Sequence, residues 1–176
     1  MPGRKRRSAE EANEVRLACQ RTPGLRTQEV KRRIVAMLRA LKLSDVELSV
    51  LLTDDIQMRE LNRRYRKRDR TTDVLAFEMP IAPNDQIGPI RAHRLLGDVV
   101  VSVPTARAQA KAAGRSTIDE VTMLLAHGLL HLLGWDHLTP REDRAMRAEV
   151  ERLCRAAGKD ATPRAQRRHT GRRKLS

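Results

Sequence analysis

The longest apolar stretch of the sequence, MLLAHGLLHLLGW at residues 123–135, limits the folds open to this chain more than any other feature. A helix of this length is too short to cross a bilayer, which takes about 20 apolar residues. Two histidines, His127 and His131, also interrupt the run. The stretch is therefore predicted to form a buried core helix against which the other elements pack.

The remaining apolar segments predict a sheet followed by helices. Short apolar or alternating runs predict strands at residues 15–19, 46–53, 73–77 and 96–103. An apolar stripe predicts a helix at residues 30–41, and two more helices are predicted from Asp54 through Tyr65 and from Pro104 to near Gly114. Two capping boxes, Thr117 with Glu120 and Thr139 with Glu142, each predict the start of a further helix, and the second of these helices is predicted to end at Gly158. Because most strands precede most helices, the predicted class is α+β: one domain with a small mixed β-sheet packed by helices, the histidine-bearing helix lining a cleft.

Positive charge is concentrated in three segments of the chain, whose formal net charge is +14. Residues 1–12 and 159–176 are predicted to be flexible basic ends that flank a domain at residues 13–158. Within this domain, residues 59–70 (RELNRRYRKRDR) carry seven Lys or Arg against two acidic residues. Clustered positive charge attracts phosphate backbones, so we expect a polyanionic partner, with a solvated charge run as the alternative. The sequence has no transmembrane segment or secretory signal pattern, so we expect a cytoplasmic protein.

Three histidines have a spacing typical of a metal site. His127 and His131 are four residues apart and lie on one face of the predicted helix. His137 can join them only if the chain turns first, and Gly134 is placed to end the helix and allow that turn. Three neutral imidazoles leave a fourth position for water, as in catalytic rather than structural zinc sites. We therefore predict one Zn²⁺ per chain on these histidines, with scattered structural histidines as the alternative.

Gly128 occupies the position where zinc proteases with this histidine spacing carry a glutamate as general base. Peptide hydrolysis needs that carboxylate to pass a proton from water to the leaving amine. Phosphodiester cleavage needs a polarised phosphoryl oxygen and neutralised negative charge, and arginine suits the second task. The glycine and the clustered arginines therefore favour phosphate chemistry. Two alternatives stay open: a zinc protease whose base is Asp136 or Glu142, and a non-enzymatic binding module with structural zinc.

Three stretches of the sequence resemble the YbeY family of bacterial ribosomal RNA maturation factors. HGLLHLLGWDH at residues 127–137 is similar to the family's HGxLHLxGYDH, with Trp135 in place of the usual tyrosine. LNRRYRKRDRTTDVLAF at 61–77 is similar to the family's segment of LN, YR, D and TDVLSF, with Ala76 in place of serine. LGDVVVS at 96–102 is similar to its LGDIVI strand.

The resemblance implies a zinc-dependent endoribonuclease that cleaves single-stranded RNA. The three histidines would bind the zinc, and Arg66, in YR, would be the arginine needed for activity. Such an enzyme would act in ribosomal RNA maturation at the 3′ end of 16S rRNA and in ribosome quality control. Its partners would be single-stranded RNA, ribosomal RNA and the small ribosomal subunit, with no membrane and no DNA specificity.

Three aspartates are expected to support the site or the turns near it. Asp98, in a predicted strand, is expected either to orient a zinc-binding histidine from outside the ligand set or to bond a loop backbone. Asp136 is expected either to orient a ligand or shuttle a proton, or to stabilise a turn. Asp73 is expected to have a structural role in the turn before its strand.

The sequence also makes predictions about the substrate side of the site. Trp135 either stacks on a base or packs beside the metal helix, and packing is the favoured interpretation. RNA binding by an aromatic stacking platform is disfavoured because aromatic residues make up only 2% of the chain. The weaker candidates for substrate binding are the basic neighbours of Arg66, namely Arg63, Arg64, Lys67 and Arg68.

Overall fold

A computed structural model describes residues 13–20, 24–78, 94–136 and 138–159 of the chain. The described residues form four strands and five helices, in an order that confirms the α+β class. In chain order they are β1 (Glu14–Cys19), α1 (Thr27–Ala40), β2 (Val46–Thr53), α2 (Asp55–Arg66), β3 (Val74–Glu78), β4 (Arg94–Ser102), α3 (Val103–Ala112), α4 (Thr117–Leu132) and α5 (Pro140–Lys159). Residues 1–12 and 160–176 of the predicted basic ends lie outside the described ranges, as do residues 79–93 between β3 and β4.

The four strands form one mixed sheet in the order β1-β2-β4-β3. Strands β1, β2 and β4 run parallel, and β3 pairs antiparallel with β4, with Leu75 opposite Val100. Strand β3 is therefore an edge strand of the described sheet. This position matters because α2 leads into β3, so the basic end of α2 reaches the same edge.

The two faces of the sheet carry separate core clusters. The larger cluster packs α1, α4 and α5 against one face, which includes Val99 and Val101 of β4. The smaller cluster joins Met58 of α2 to Leu75 and Val100 on the other face. Side chains alternate between faces along a strand, so from Gly97 onward β4 presents its odd-numbered residues to α4 and its even-numbered residues to the side of α2. Leu96, at a shift in the register between β2 and β4, belongs to the larger cluster. Helix α4 is buried along most of its length, as predicted for residues 123–135.

Most helix starts agree with the capping predictions, and one is wrong. The Asp54 side chain accepts a hydrogen bond from the Gln57 backbone at 2.9 Å, and the Thr139 and Glu142 side chains each accept one from the other's backbone N–H. Helix α4, however, is capped by Ser116, which accepts from the Asp119 N–H at 3.2 Å, not by Thr117. Because both neighbouring pairs have the capping-box spacing, the local sequence alone does not separate them.

Burial explains why the cap of α4 lies one residue earlier than predicted. Glu120, the predicted partner of Thr117, is only 2% exposed and pairs with Arg115 at 2.7 Å. Its carboxylate is therefore held by an ion pair instead of closing a capping box. Strand β4 likewise ends at Ser102, one residue earlier than predicted, because Ser102 caps α3 through the Thr105 N–H.

Helix α4 is also attached to α1 by a cluster of charged side chains. The Arg33 guanidinium donates to Asp119 at 2.8 Å and to Thr122 at 3.0 Å, and also to Glu29 on its own helix. Hydrogen bonds from Arg32 and then Arg33 lower the pKa of the Glu29 carboxyl to about 2.

No helix in the described ranges combines the length and hydropathy needed to cross a membrane.

Candidate active site

Helix α4 brings His127 and His131 together on its half-buried face. Their Nε2 atoms are 3.1 Å apart, and their rings lie edge-to-face with centroids 4.7 Å apart. The i, i+4 spacing places the side chains one above the other on a helix, as the sequence predicts. Both rings thus direct a nitrogen toward the same point.

The distance between the two nitrogens fits a shared metal ion. Zinc–nitrogen bonds of about 2.0–2.1 Å at a tetrahedral angle separate two imidazole nitrogens by roughly 3.3 Å. His137, the third predicted ligand, lies outside the described residues, among which no three His, Cys, Asp or Glu side chains come together as a metal site. The described pair therefore supplies two nitrogen ligands of the type that zinc accepts, and the prediction for His137 stays open.

The chain turns after α4 at the predicted glycine. Gly134 has φ +81°, a conformation that glycine adopts without strain, and its N–H donates to the His131 carbonyl at 2.9 Å. The Trp135 N–H then donates back to Leu130 at 3.0 Å. These bonds end the helix as a C-terminal glycine motif does, so the segment leading to His137 leaves the helix axis.

Gly128 lets α4 pack closely on the sheet beside the histidines. A Cβ at this position would lie 2.7 Å from Val99 Cγ1 and 3.3 Å from Val74 Cγ2. Contacts under 3.0 Å are too short for real side chains, so any larger residue would push α4 away from β3 and β4. The position where zinc proteases carry glutamate is here directed into the sheet.

The histidines line a cleft of about 910 Å³ beside edge strand β3. Its other wall is formed by the end of α2 and the following loop, which contribute four basic side chains within five residues. The lining includes Arg66, Lys67, Arg68 and Arg70, with Trp135 and Asp136 beside the histidines. The cleft thus brings together most of the residues that the sequence predicts for metal binding, catalysis and substrate binding.

Arg66 is the last residue of α2, one residue beyond the predicted end of this helix at Tyr65. One N–H of its guanidinium donates to the Ala76 carbonyl at 2.8 Å, and its charge lies 5.9 Å from the centre of the Phe77 ring. The remaining guanidinium N–H groups make no hydrogen bond to the described part of the chain. Because the bond to residue 76 uses the backbone, the substitution of alanine for the family's serine leaves it intact.

Asn62 shapes the basic wall of the cleft, formed by Arg66, Lys67, Arg68 and Arg70, and was not singled out by the sequence analysis. It is 3% exposed, and its side-chain amide donates to the Arg70 carbonyl at 2.7 Å. Its own carbonyl accepts the N–H of Lys67, whose φ of 57° turns the chain out of α2, and that of Arg68 at 3.3 Å. A buried asparagine within the charged helix, in the LN pair of the resemblance, is the only sequence signal for this role.

Several predicted site residues lie away from the cleft. Asp98 points to the face of the sheet opposite α4 and lines a separate cavity with Val100 and Phe77, so it does not approach His127 or His131. Arg63 and Arg64 are exposed but do not line the cleft.

Two carboxylates named by the sequence analysis are engaged in local structure. Asp73 accepts the Val74 N–H at 2.8 Å and the Gln109 side chain at 3.0 Å, which agrees with its predicted structural role. Glu142, one of the alternative bases, caps α5 through the Thr139 N–H at 2.9 Å.

Comparison with known proteins gives consistent matches. A family model described as endoribonuclease YbeY matches residues 18–158. Proteins named endoribonuclease YbeY from Myxococcus xanthus, Anaeromyxobacter dehalogenans and Aquifex aeolicus are 50%, 43% and 42% identical over 123, 145 and 127 residues. These alignments cover 70%, 82% and 72% of this chain, and 40%, 72% and 80% of the respective relatives.

A solved structure has the same fold. The solution structure of a Thermotoga maritima protein aligns with a TM-score of 0.57 at 22% identity, covering 90% of this chain and 99% of that one. This likeness concerns the fold. The match to the family model concerns the sequence, and its residues 18–158 include the histidine helix, the basic wall and most of the sheet.

Proposed function

Because the chain belongs to the endoribonuclease YbeY family, we propose that it is a metal-dependent endoribonuclease that cleaves single-stranded RNA in ribosomal RNA maturation. The observation that supports this most is the single cleft in which His127 and His131 face the basic end of α2. The proposal includes maturation of the 16S rRNA 3′ end, ribosome quality control, the small ribosomal subunit as partner and a cytoplasmic location. These four points rest on the family resemblance and on the charge of the chain.

The proposed metal is one Zn²⁺ per chain, held by His127, His131 and His137. When bound, zinc would supply a Lewis acid that polarises a phosphoryl oxygen and lowers the pKa of a bound water to about 7. The 3.1 Å between the two described nitrogens supports this ligand set. Asp136 lines the same cleft and stays a candidate for orienting a ligand.

Arg66 is proposed to bind the scissile phosphate and to neutralise the charge that develops on it. The bond to the Ala76 carbonyl holds one side of the guanidinium and leaves its other N–H groups to face the phosphate. A guanidinium fixed in this way loses little side-chain entropy on binding and offers a planar pair of donors. Lys67, Arg68 and Arg70 surround it with positive charge that attracts the RNA backbone.

The two alternatives find less support in the geometry. A protease would need a carboxylate at the histidines, but position 128 is directed into the sheet and Glu142 caps α5. A module with purely structural zinc would have no need of a 910 Å³ cleft with cations opposite the histidines. The protease alternative therefore remains only with Asp136 as its base. Assays with an RNA substrate and with a peptide substrate distinguish it from the endoribonuclease.

The test is zinc content measured alongside single-turnover cleavage of a short single-stranded RNA. His127→Ala, His131→Ala and His137→Ala should each lose most bound zinc and most cleavage, whereas His169→Ala, in the basic tail, should retain both. Arg66→Ala should retain zinc and lose cleavage. RNA cleavage by metal-free protein, or cleavage of peptides without cleavage of RNA, would refute the proposal.

Thermal unfolding of the same variants separates a catalytic metal from a structural one. A catalytic site can lose its metal and remain folded, because the apolar core and not the zinc holds the domain together. A metal-free protein that no longer unfolds cooperatively would instead support the ribosome-binding module with structural zinc.

A further inference from the structure

The few aromatic residues of this chain are gathered at one place. The sequence contains one tryptophan, one tyrosine and one phenylalanine. Trp135 and Tyr65 both line the histidine cleft, and Phe77 packs edge-to-face on Tyr65 with ring centroids 5.1 Å apart. The low aromatic content disfavoured a stacking platform, but that argument took no account of where the rings lie.

Trp135 is exposed in the cleft and is not part of the core. Its relative exposure is 37%, and it belongs to neither of the two hydrophobic clusters in the described residues. This exposure leaves part of the side chain open to the cleft, and the interpretation that its ring packs beside the metal helix stays a prediction. Its backbone is nevertheless fixed by the hydrogen bond to Leu130, so the ring is carried on a rigid turn directly after the histidines.

The two cleft aromatics differ in whether their rings already have partners. Tyr65 has the Phe77 edge against it and the Arg64 guanidinium over its ring at 5.4 Å. Trp135 makes no aromatic or cation–π contact with any residue in the described ranges. An indole is the largest flat apolar surface that a protein offers, and Trp135 therefore has ring surface available to a ligand.

The surroundings of Trp135 define the chemistry of that ligand. The opposite wall carries Arg66, Lys67, Arg68 and Arg70, so the ligand combines negative charge with a flat apolar group. Unpaired nucleotides have both, because the phosphates are anionic and each base offers a π-face. In a duplex the base faces are stacked on one another and unavailable to a side chain.

We propose that Trp135 is a stacking subsite for one unpaired nucleobase next to the phosphate bound by the basic wall. This inference rests on the proposed RNA substrate and names the residue that makes the cleft prefer unpaired over paired RNA. Loss of such a stacking contact weakens binding by about 5- to 150-fold per base. Stacking involves no ion pair, so it contributes nothing to the salt dependence of binding.

Trp135 is the only tryptophan, so its fluorescence reports on the subsite without a label. Mixing the protein with a 2′-O-methyl octanucleotide of mixed sequence in a stopped-flow instrument should quench this fluorescence, and the matching duplex should quench it much less. Trp135→Leu should bind the single strand about 5- to 150-fold more weakly with an unchanged salt slope and unchanged zinc, whereas Trp135→Phe should keep most of the affinity. Arg68→Ala should instead reduce the salt slope by about 1.

Abasic substrates make the test specific to a base. A series of octanucleotides is used, each lacking the base at a different single position. At one position, removal of the base should weaken binding to the wild type but not to Trp135→Leu, compared with the intact octanucleotide. Leu138→Ala serves as the matched control, because Leu138 is 83% exposed, lies three residues away and does not line the cleft. Equal abasic losses in wild type and Trp135→Leu, or an equal loss of affinity in Leu138→Ala, would overturn the subsite.

The outcome for the subsite is separable from the outcome for the proposed function. RNA cleavage by the wild type without the abasic coupling would remove the subsite and leave the endoribonuclease proposal standing. Quenching and abasic coupling in a protein that never cleaves RNA would establish the subsite and remove the endoribonuclease proposal.

Discussion

Replacing Gly128 by alanine should destabilise the protein, although alanine is the better helix former. Gly128 lies in the interior of α4, where the change to alanine favours the helix by about 1 kcal/mol. The new Cβ, however, would lie 2.7 Å from Val99 Cγ1. Val99 is 1% exposed in the centre of the sheet and its β-branched side chain has few rotamers, so it cannot simply turn away.

The structure gives the size of the effect. Forcing a methyl group into a packed core costs about 1–3 kcal/mol, which exceeds the gain in helix propensity and leaves a net loss of about 1 kcal/mol. In a domain of this size, that loss lowers Tm by roughly 2–4 °C. Gly158→Ala in α5 is the matched control: no atom lies within 4 Å of its added Cβ, so it should gain stability by up to about 1 kcal/mol.

The assay is urea unfolding of both variants, of Val99→Ala, and of the double variant Gly128→Ala/Val99→Ala. Removing the valine methyl groups should relieve the clash, so the double variant should be more stable than the sum of the single changes predicts, by at least about 0.5 kcal/mol. Additive effects, or a Gly128→Ala protein stabilised as much as Gly158→Ala, would refute the close approach of α4 to the sheet.

Three further changes test other contacts. Arg66→Lys should reduce single-turnover cleavage by roughly 10²–10³-fold, nearly as much as Arg66→Ala, because a lysine cannot make a bidentate phosphate contact; an Arg64→Ala protein that is equally impaired would argue against a specific role. Ser116→Ala should cost about 1 kcal/mol in urea unfolding and Thr117→Ala much less, and the reverse order would restore the predicted cap. The pKa of Glu29 is lowered to about 2, so its stabilising effect is complete above pH 4.5 and is lost as the pH falls from 4.5 toward 2. Glu29→Gln should cost roughly 1–2 kcal/mol of stability at pH 7 and should reduce the loss of stability between pH 4.5 and 2. Unfolding at a series of pH values measures both effects.

The parts of the fold that follow from local chemistry could be predicted from the sequence. Side-chain caps such as Asp54 and the glycine turn at Gly134 depend on residues within three or four positions, and both are confirmed. The histidine pair is also local, because helix geometry alone brings His127 and His131 together. The cap of α4 was missed because two overlapping capping boxes compete, and the burial of Glu120 that decides between them is a tertiary property.

The features that depend on tertiary position could not be read from the sequence. The sequence places Asp98 in a strand but does not show on which face of the sheet its side chain lies. That face is set by the packing of β4 against α4, and Asp98 lies on the opposite side from α4. The cleft likewise depends on β3 being the edge strand of the described sheet, which the order of segments along the chain does not determine. Composition could not show that the three aromatic residues lie near one another, since a percentage contains no positions.

The close packing of α4 also explains the glycine in its histidine motif. A glutamate at position 128 would start from a Cβ only 2.7 Å from Val99 Cγ1, so it would fit only if α4 moved away from the sheet. This packing and a glutamate base at that position therefore exclude each other. The same packing sets the histidines beside β3, where the end of α2 supplies arginines. In this chain, therefore, the arrangement that removes the protease base is the one that places cations opposite the proposed metal.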